Sequence, residues 1–171
     1  MKKILVLLFL IIGGQMLAQE LNKVIVDEKL NKDVLVGICD RNGLGSEVFA
    51  EYFDAGYTEY VPDPNIVKQL KKMKKGLEIV IVMATWCGDS KEQVPRFYKI
   101  LDDIGFKDSN VKLIAVDGEK TAGDTDISGL GIERVPTFLF YQDGREIGKI
   151  VESPTGPTLE RDMLLILTLN K

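Results

Sequence analysis

The chain has 171 residues, of which 26 are acidic and 22 basic, and it contains no histidine. The missing histidine excludes a His-based catalytic dyad, a His-ligated haem and most zinc sites. The acidic balance argues against a nucleic-acid-binding protein. Two cysteines, Cys39 and Cys87, are available for thiol chemistry.

The N-terminus has the three-part plan of a secretory signal peptide. Lys2 and Lys3 precede an apolar run at residues 4–12, and the small residue Ala18 precedes the polar Gln19. A spanning helix needs about 20 apolar residues, so an uncleaved membrane anchor is the less favoured alternative. We predict cleavage after Ala18. The mature chain would then be periplasmic or secreted, without a membrane span, and its net charge would fall from −4 to −6 because the removed segment holds two basic residues and no acidic one.

The first elements of the mature chain are a strand and a short helix. Residues 32–38 are rich in apolar and β-branched side chains, which predicts a strand, and Asn42-Gly43 predicts the turn that follows. Ser46 is suited to cap the short helix. Four apolar residues, spaced one helical turn apart in pairs, are predicted to face the core: Val48, Phe49, Tyr52 and Phe53.

A second helix carries most of the local positive charge. Asp63 is a suitable N-cap and Pro64 a suitable first residue, and Gly76 marks the end. Five lysines fall in this segment, and we interpret them as a solvated face beside an apolar stripe. They are Lys68, Lys71, Lys72, Lys74 and Lys75.

The remaining sequence alternates between strand and helix patterns. Strands are predicted at 78–83, 111–117, 137–142 and 146–152, helices at 90–104 and 158–169, and a helical turn region at 124–130. The long helix between the first two strands predicts that they are parallel. The Asp143-Gly144 turn predicts that the last two are antiparallel.

A cysteine motif lies where the first of these strands passes into a helix. It reads Ala-Thr-Trp-Cys-Gly-Asp-Ser from Ala84 to Ser90. The sulfur of Cys87 would lie beside unpaired backbone N–H groups and the positive end of the helix dipole, and both favour a thiolate. The motif resembles the thioredoxin active site, Trp-Cys-Gly-Pro-Cys. Ser90 stands in the position of the second cysteine.

Two further segments support this resemblance. Pro95 follows Cys87 by eight residues, the offset of a helix-kinking proline in thioredoxins. Val135-Pro136, within the segment from Gly131 to Gly144, is similar to the thioredoxin loop that carries the cis-proline.

The resemblance covers approximately residues 76–169 and implies a fold class. We expect an α/β thioredoxin-like fold, in which helices flank a central mixed sheet. The mature chain, 19–171, would be a single domain with a thioredoxin core at 76–171. Residues 19–75 would form an N-terminal extension.

The resemblance also implies roles for individual residues. Cys87 would be the nucleophile, and Ser90 would donate a hydrogen bond to its sulfur. Trp86 and Gly88 would form one wall of a docking surface for substrate. The other wall would be Val135 and Pro136, where the Val135 backbone pairs with an extended peptide.

The chain departs from the family at two positions that matter for disulfide reduction. Ser90 cannot resolve a mixed disulfide, because a hydroxyl has no chemistry of this kind. Ile81 occupies the position of the buried aspartate that many thioredoxins carry six residues before the first cysteine. Together the changes suggest a site that works with one thiol.

Cys39 has two interpretations. It could be a replacement resolving thiol for Cys87, which would require Cα atoms within about 7 Å. It could instead be a small buried apolar residue at the end of its strand. The sequence favours the buried interpretation.

The leading hypothesis is an exported protein that exchanges disulfides through a single cysteine. Its partners would be cysteine-containing proteins or small thiols, with an external reductase as a further candidate, and neither a cofactor nor a metal is expected. The alternative is a non-enzymatic thioredoxin-fold module that binds peptides. A peroxidase is less favoured because the Pro-x-x-x-Thr-x-x-Cys pattern is missing before Cys87.

Overall fold

The computed structural model describes residues 20–170, so the predicted signal peptide lies outside the described residues. A mixed six-stranded sheet with the order β1-β2-β4-β3-β5-β6 forms its centre. The strands are β1 (Lys23–Asp27), β2 (Lys32–Cys39), β3 (Leu77–Met83), β4 (Val111–Ala115), β5 (Thr137–Gln142) and β6 (Arg145–Val151). The helices are α1 (Arg41–Leu44), α2 (Ala50–Glu59), α3 (Pro64–Met73), α4 (Gly88–Asp103) and α5 (Leu159–Leu169).

The strand pairing agrees with the sequence-based topology. β3 and β4 are parallel, with α4 as the long connection between them. β5 and β6 form the antiparallel hairpin that Asp143-Gly144 predicts. The helix α3 has Asp63 as its N-cap, whose carboxylate accepts a hydrogen bond from Asn65 N at 2.8 Å. The expected mixed sheet flanked by helices is therefore confirmed.

The segment between β2 and α3 differs from the prediction. The Asp40 carboxylate accepts hydrogen bonds from Asn42 N and Gly43 N, so the predicted turn becomes the one-turn helix α1. The Ser46 hydroxyl donates to Gly43 O at 2.6 Å, and it caps no helix because the residue before α2 is Phe49, whose side chain forms no cap hydrogen bond. The next helix, α2, therefore begins at residue 50, after Phe49. The predicted Ser46 cap is wrong for this reason.

Two other predictions are corrected by the structure, and one strand is added. The added element is the edge strand β1, which pairs with β2. The predicted helical turn at 124–130 is reduced to the 3₁₀ turn Ser128–Leu130. Tyr52 is 39% exposed and does not belong to the core. Its ring lies under the Lys91 ammonium of α4, with 3.8 Å between Nζ and the ring centroid.

Apolar side chains pack on both faces of the sheet. The larger cluster joins the sheet to α3, α4 and α5, and its largest fully buried members include Phe97 and Phe138. The smaller cluster involves residues of the 116–135 segment and includes Val135, with Trp86 and Cys87 packed against it. The site motif therefore lies at the boundary between a helix-covered face and a loop-covered face.

The N-terminal extension is packed onto the helix that follows Cys87. A Cβ atom on Gly56 of α2 would lie 3.0 Å from Pro95 Cβ, so the glycine allows α2 to approach α4 closely. Arg41 forms a two-pronged ion pair with Asp102 of α4 at 2.6 and 2.9 Å, and Tyr57 donates to the same carboxylate at 2.7 Å. These contacts attach α1 and α2 of the extension to α4.

Among residues 20–170, the structure contains no helix with the length and apolar character needed to cross a membrane.

Candidate functional site

Cys87 is the N-cap residue of α4. Its backbone is extended (φ −83°, ψ 130°), and its carbonyl accepts the first helical hydrogen bond from Lys91 N at 3.1 Å. Its own N–H donates to Ala84 O at 3.1 Å, which fixes the turn between β3 and α4. The side chain is half-buried. The sulfur is thus placed at the positive end of a 16-residue helix.

The loop before β5 contacts the sulfur directly. The Cys87 thiol donates a hydrogen bond to Val135 O at 3.1 Å, across 48 residues of sequence. The peptide bond between Val135 and Pro136 is cis. Pro136 O accepts from Glu152 N at 2.7 Å, and Arg134 binds the Glu152 carboxylate at 2.8 Å. The fold therefore brings Cys87 together with Val135, whose loop is held by Glu152.

Ser90 has a different partner from the one expected. Its hydroxyl is completely buried and accepts a hydrogen bond from Ala84 N at 3.2 Å. Ser90 lies in the first turn of α4, where the backbone N–H that follows β3 needs an acceptor. This bond does not use the hydroxyl proton, so the expected donation from Ser90 to the Cys87 sulfur stays a prediction.

Trp86 and Gly88, the sequence neighbours of Cys87, differ in their exposure to solvent. Trp86 is half-buried against the smaller apolar cluster, and its buried Nε1 has no hydrogen-bond partner among the described residues. The buried hydroxyl of Thr85 is also unpartnered in that part of the chain. Gly88 is exposed, and a Cβ atom there would meet nothing within 4 Å.

Cys39 lies away from Cys87. It pairs with Leu113 of β4, and Leu113 pairs with Ile81 of β3, so two strand spacings, about 10 Å, already separate Cys39 from Ile81. Cys87 lies beyond the far end of β3. The two thiols belong to different apolar clusters, and both are free. This position agrees with the buried interpretation of Cys39 and leaves Cys87 without a resolving thiol nearby.

The different environments of the two thiols predict selective alkylation. Burial raises the pKa of Cys39 to about 12, whereas Cys87 is half-buried at a helix terminus. Iodoacetamide at pH 8 should therefore modify one thiol, Cys87, in the native protein and both in denaturant, as measured by intact mass. Modification of both thiols in the native protein would contradict the assigned difference between the two environments.

The raised pKa of Cys39 also predicts how stability depends on pH. Since an unfolded cysteine titrates near 8.5, the unfolded state alone loses this proton as pH rises above about 8.5, and the free energy of unfolding should therefore fall.

Within residues 20–170, no group of three or more Cys, Asp or Glu side chains is arranged to hold a metal ion. What the site offers chemically is a helix-terminal thiol, a carbonyl in contact with it, and a partly exposed tryptophan beside it.

Comparisons with known proteins relate this arrangement to one family. A family model described as Thioredoxin matches residues 59–164, from the end of α2 into α5. Thioredoxin Asp f 29 of Aspergillus fumigatus is 30% identical over 102 residues, which cover 60% of this chain and 88% of that protein. Thioredoxin Asp f 28 of the same organism is 33% identical over 91 residues, covering 53% and 77%. The X-ray structure of Fasciola hepatica thioredoxin superposes with a TM-score of 0.39 and 22% identity, covering 61% of this chain and 91% of that one.

Proposed function

The chain belongs to the thioredoxin family, and from that premise we propose that it is an exported thiol–disulfide exchange protein that works through a single cysteine, Cys87. One observation carries the proposal. The thiol of Cys87 is half-buried at the N-terminus of α4 and lies 3.1 Å from Val135 O, while the position of the family's second cysteine holds a buried serine.

The proposed exchange needs two thiols, only one of which belongs to this chain. The Cys87 thiolate attacks one sulfur of a substrate disulfide, so a Cys87–substrate S–S bond forms and the substrate S–S bond breaks. The departing sulfur leaves as a thiolate and takes a proton from solvent. A second thiolate, from an external small molecule or reductase, then attacks the substrate sulfur of the mixed disulfide. An S–S bond forms between that thiol and the substrate, the Cys87–substrate S–S bond breaks, and Cys87 leaves as a reduced thiolate.

The surroundings of Cys87 suit a cysteine-containing protein or peptide as the substrate. The Val135 N–H donates to no backbone carbonyl of residues 20–170, so it can pair with an extended substrate chain. Binding of that chain would compete for Val135 O and release the Cys87 thiol from its hydrogen bond. Trp86 provides a partly exposed apolar surface next to the thiol, and Gly88 leaves open space for the incoming sulfur.

The alternative function is a peptide-binding module that does not use its thiol. The buried hydroxyl of Ser90, which stabilises the turn at Ala84, is compatible with this alternative, because it gives Ser90 a structural role. The two functions differ in one measurable property, which is whether Cys87 forms covalent adducts.

Mixed-disulfide trapping tests the proposed function. The wild-type protein, incubated with oxidised glutathione or with a disulfide-containing protein, should form adducts that dithiothreitol releases, and Cys87→Ser should form none. Cys39→Ser is the matched control, and its adducts should form at the wild-type rate and persist for the same time, because Cys39 is buried away from the site. Intact-mass spectrometry measures both. If Cys87 formed no adduct, or alkylated no faster than a model thiol of pKa about 8.5, the binding module would be favoured.

Export is tested by the mass of the protein recovered from cells. If the N-terminal signal is used, the chain outside the cytoplasm should begin near Gln19 and lack the 18 preceding residues. N-terminal sequencing together with intact mass distinguishes this product from an anchored precursor. Replacing three apolar residues of the 4–12 run by glutamine should leave the full-length chain in the cytoplasm. A membrane-tethered chain that still carries Met1 would contradict cleavage.

A further inference from the structure

The outer surface of α3 and α5 carries basic charge without exposed acidic residues. These two helices pack against each other, and their acidic residues are Glu160 and Asp162, which are both buried. Glu160 accepts hydrogen bonds from Tyr60 at 2.6 Å and from Asp63 N at 3.1 Å. Asp162 accepts three hydrogen bonds from the loop at residues 155–156. Both carboxylates therefore form hydrogen bonds inside the protein, and they place no exposed negative charge on the outer surface of α3 and α5.

The positive charges on this surface are unpaired. Four lysines of α3 and of the residues after it are exposed: Lys68, Lys71, Lys72 and Lys75. None of them forms an ion pair with a described residue. The mature chain as a whole would be acidic, so these charges are concentrated on one side. Because the screening length is about 8 Å at physiological ionic strength, a ligand at this surface responds to the lysines and not to the net charge.

Exposed leucines accompany the lysines. Leu165 is 56% exposed and Leu169 is 74% exposed, and they lie one helical turn apart on α5. A cavity of about 380 Å³ opens between the C-terminal ends of α3 and α5. Its lining combines two lysines and three apolar residues with polar and acidic residues: Lys72, Lys75, Met73, Ile147, Leu167, Gln142, Asn170 and Asp143.

This region lies at the far end of the sheet from Cys87. β3 begins at Leu77, just after α3, and ends at Met83, just before the cysteine motif. Seven strand residues span about 20 Å. A ligand bound at the C-terminal ends of α3 and α5 would thus leave the thiol accessible.

We propose that the α3–α5 surface, formed by Lys68, Lys71, Lys72, Lys75, Leu165 and Leu169, docks the protein on a bilayer that contains anionic phospholipids. Unpaired lysines attract phosphate groups, and exposed leucines enter the boundary between headgroups and acyl chains. The two side-chain types correspond to the two layers of an anionic bilayer, its phosphate groups and its acyl chains, and this inference is independent of the proposed thiol chemistry. An acidic protein is the competing occupant, and the experiment below distinguishes the two.

Vesicle sedimentation tests the proposal. The protein beginning at Gln19 retains every described element and avoids direct insertion of the apolar run at 4–12. It should sediment with vesicles of 30% phosphatidylglycerol and 70% phosphatidylcholine and not with pure phosphatidylcholine. Changing Lys68, Lys71 and Lys72 to glutamine should lower the partition constant on the order of 100-fold, about fivefold per lysine.

A matched triple variant distinguishes the effect of the α3–α5 surface on binding from the effect of removing three positive charges elsewhere on the protein. Changing the exposed Lys32, Lys112 and Lys149, which lie on strands and outside the α3–α5 surface, to glutamine removes the same charge and should change binding less than about threefold. Leu165→Ser with Leu169→Ser should lower binding about fivefold or more. Failure to bind anionic vesicles at 50 mM salt, or equal loss in the two triple variants, would overturn the proposal. Binding to polyglutamate without binding to vesicles would also overturn it and assign the surface to an acidic protein.

Discussion

Replacing Ser90 by cysteine is expected to turn the protein into a dithiol reductase that reduces insulin disulfides at least about tenfold faster than the parent. Ser90 lies in the first turn of α4, three residues after Cys87, so the new thiol is held on the same helix terminus as the mixed disulfide. An intramolecular thiol attacks at a far higher effective concentration than one from solution. The turbidity of reduced insulin, with dithiothreitol as the electron source, measures the gain.

The control for this gain is Ser90→Ala. Both variants remove the hydroxyl that accepts from Ala84 N, which should cost about 1–3 kcal/mol of stability because a buried N–H loses its partner. Only the cysteine variant adds a thiol, so only that variant should reduce insulin. Ile81 supplies no buried carboxylate, and the rate should therefore stay below that of a complete thioredoxin site. An unchanged rate in a folded, reduced Ser90→Cys protein would show that the helix-terminal geometry is not that of a thioredoxin.

Replacing Phe97 by alanine is expected to destabilise the protein by about 3–5 kcal/mol. Phe97 is fully buried on α4, and its ring centroid lies 4.4 Å from that of Phe138 and 6.0 Å from that of Phe140 on β5. These rings join the helix that begins at Cys87 to the strand that follows Pro136. Since domains of this size have about 5–15 kcal/mol of stability, the loss is a large part of the total. Urea denaturation followed by circular dichroism measures it.

Tyr52→Ala is the matched control for the loss of a ring. Tyr52 is 39% exposed on α2, and its ring is covered by Lys91 at 3.8 Å, so its removal should cost about 1 kcal/mol. Because Phe97 connects the two elements that hold the thiol and its carbonyl partner, Phe97→Ala should also reduce Cys87 adduct formation at temperatures where the variant is still mostly folded. If the two variants lost equal stability, Phe97 would not be central to the core.

Features that depend on local chemistry could be predicted from the sequence. The apolar run at residues 77–83 and the hairpin at Asp143-Gly144 follow from side-chain pattern and turn geometry, and both are present in the structure. Asp63 and Pro64 begin α3 for similarly local reasons. The family followed from the cysteine motif, Pro95 and the Val135-Pro136 loop, whose spacing in sequence is characteristic.

The tertiary structure decided which remote groups meet. β2 pairs antiparallel with β4, and this placed Cys39 in a different apolar cluster from Cys87. The sequence did not predict that the Ser90 hydroxyl accepts from Ala84 N, a bond that forms because a buried N–H without an acceptor is costly. The edge strand β1 pairs with β2, and although Val24, Ile25 and Val26 favour a strand locally, only the fold determines which strand they join. Such pairings depend on contacts between distant segments, which local propensity and periodicity do not encode.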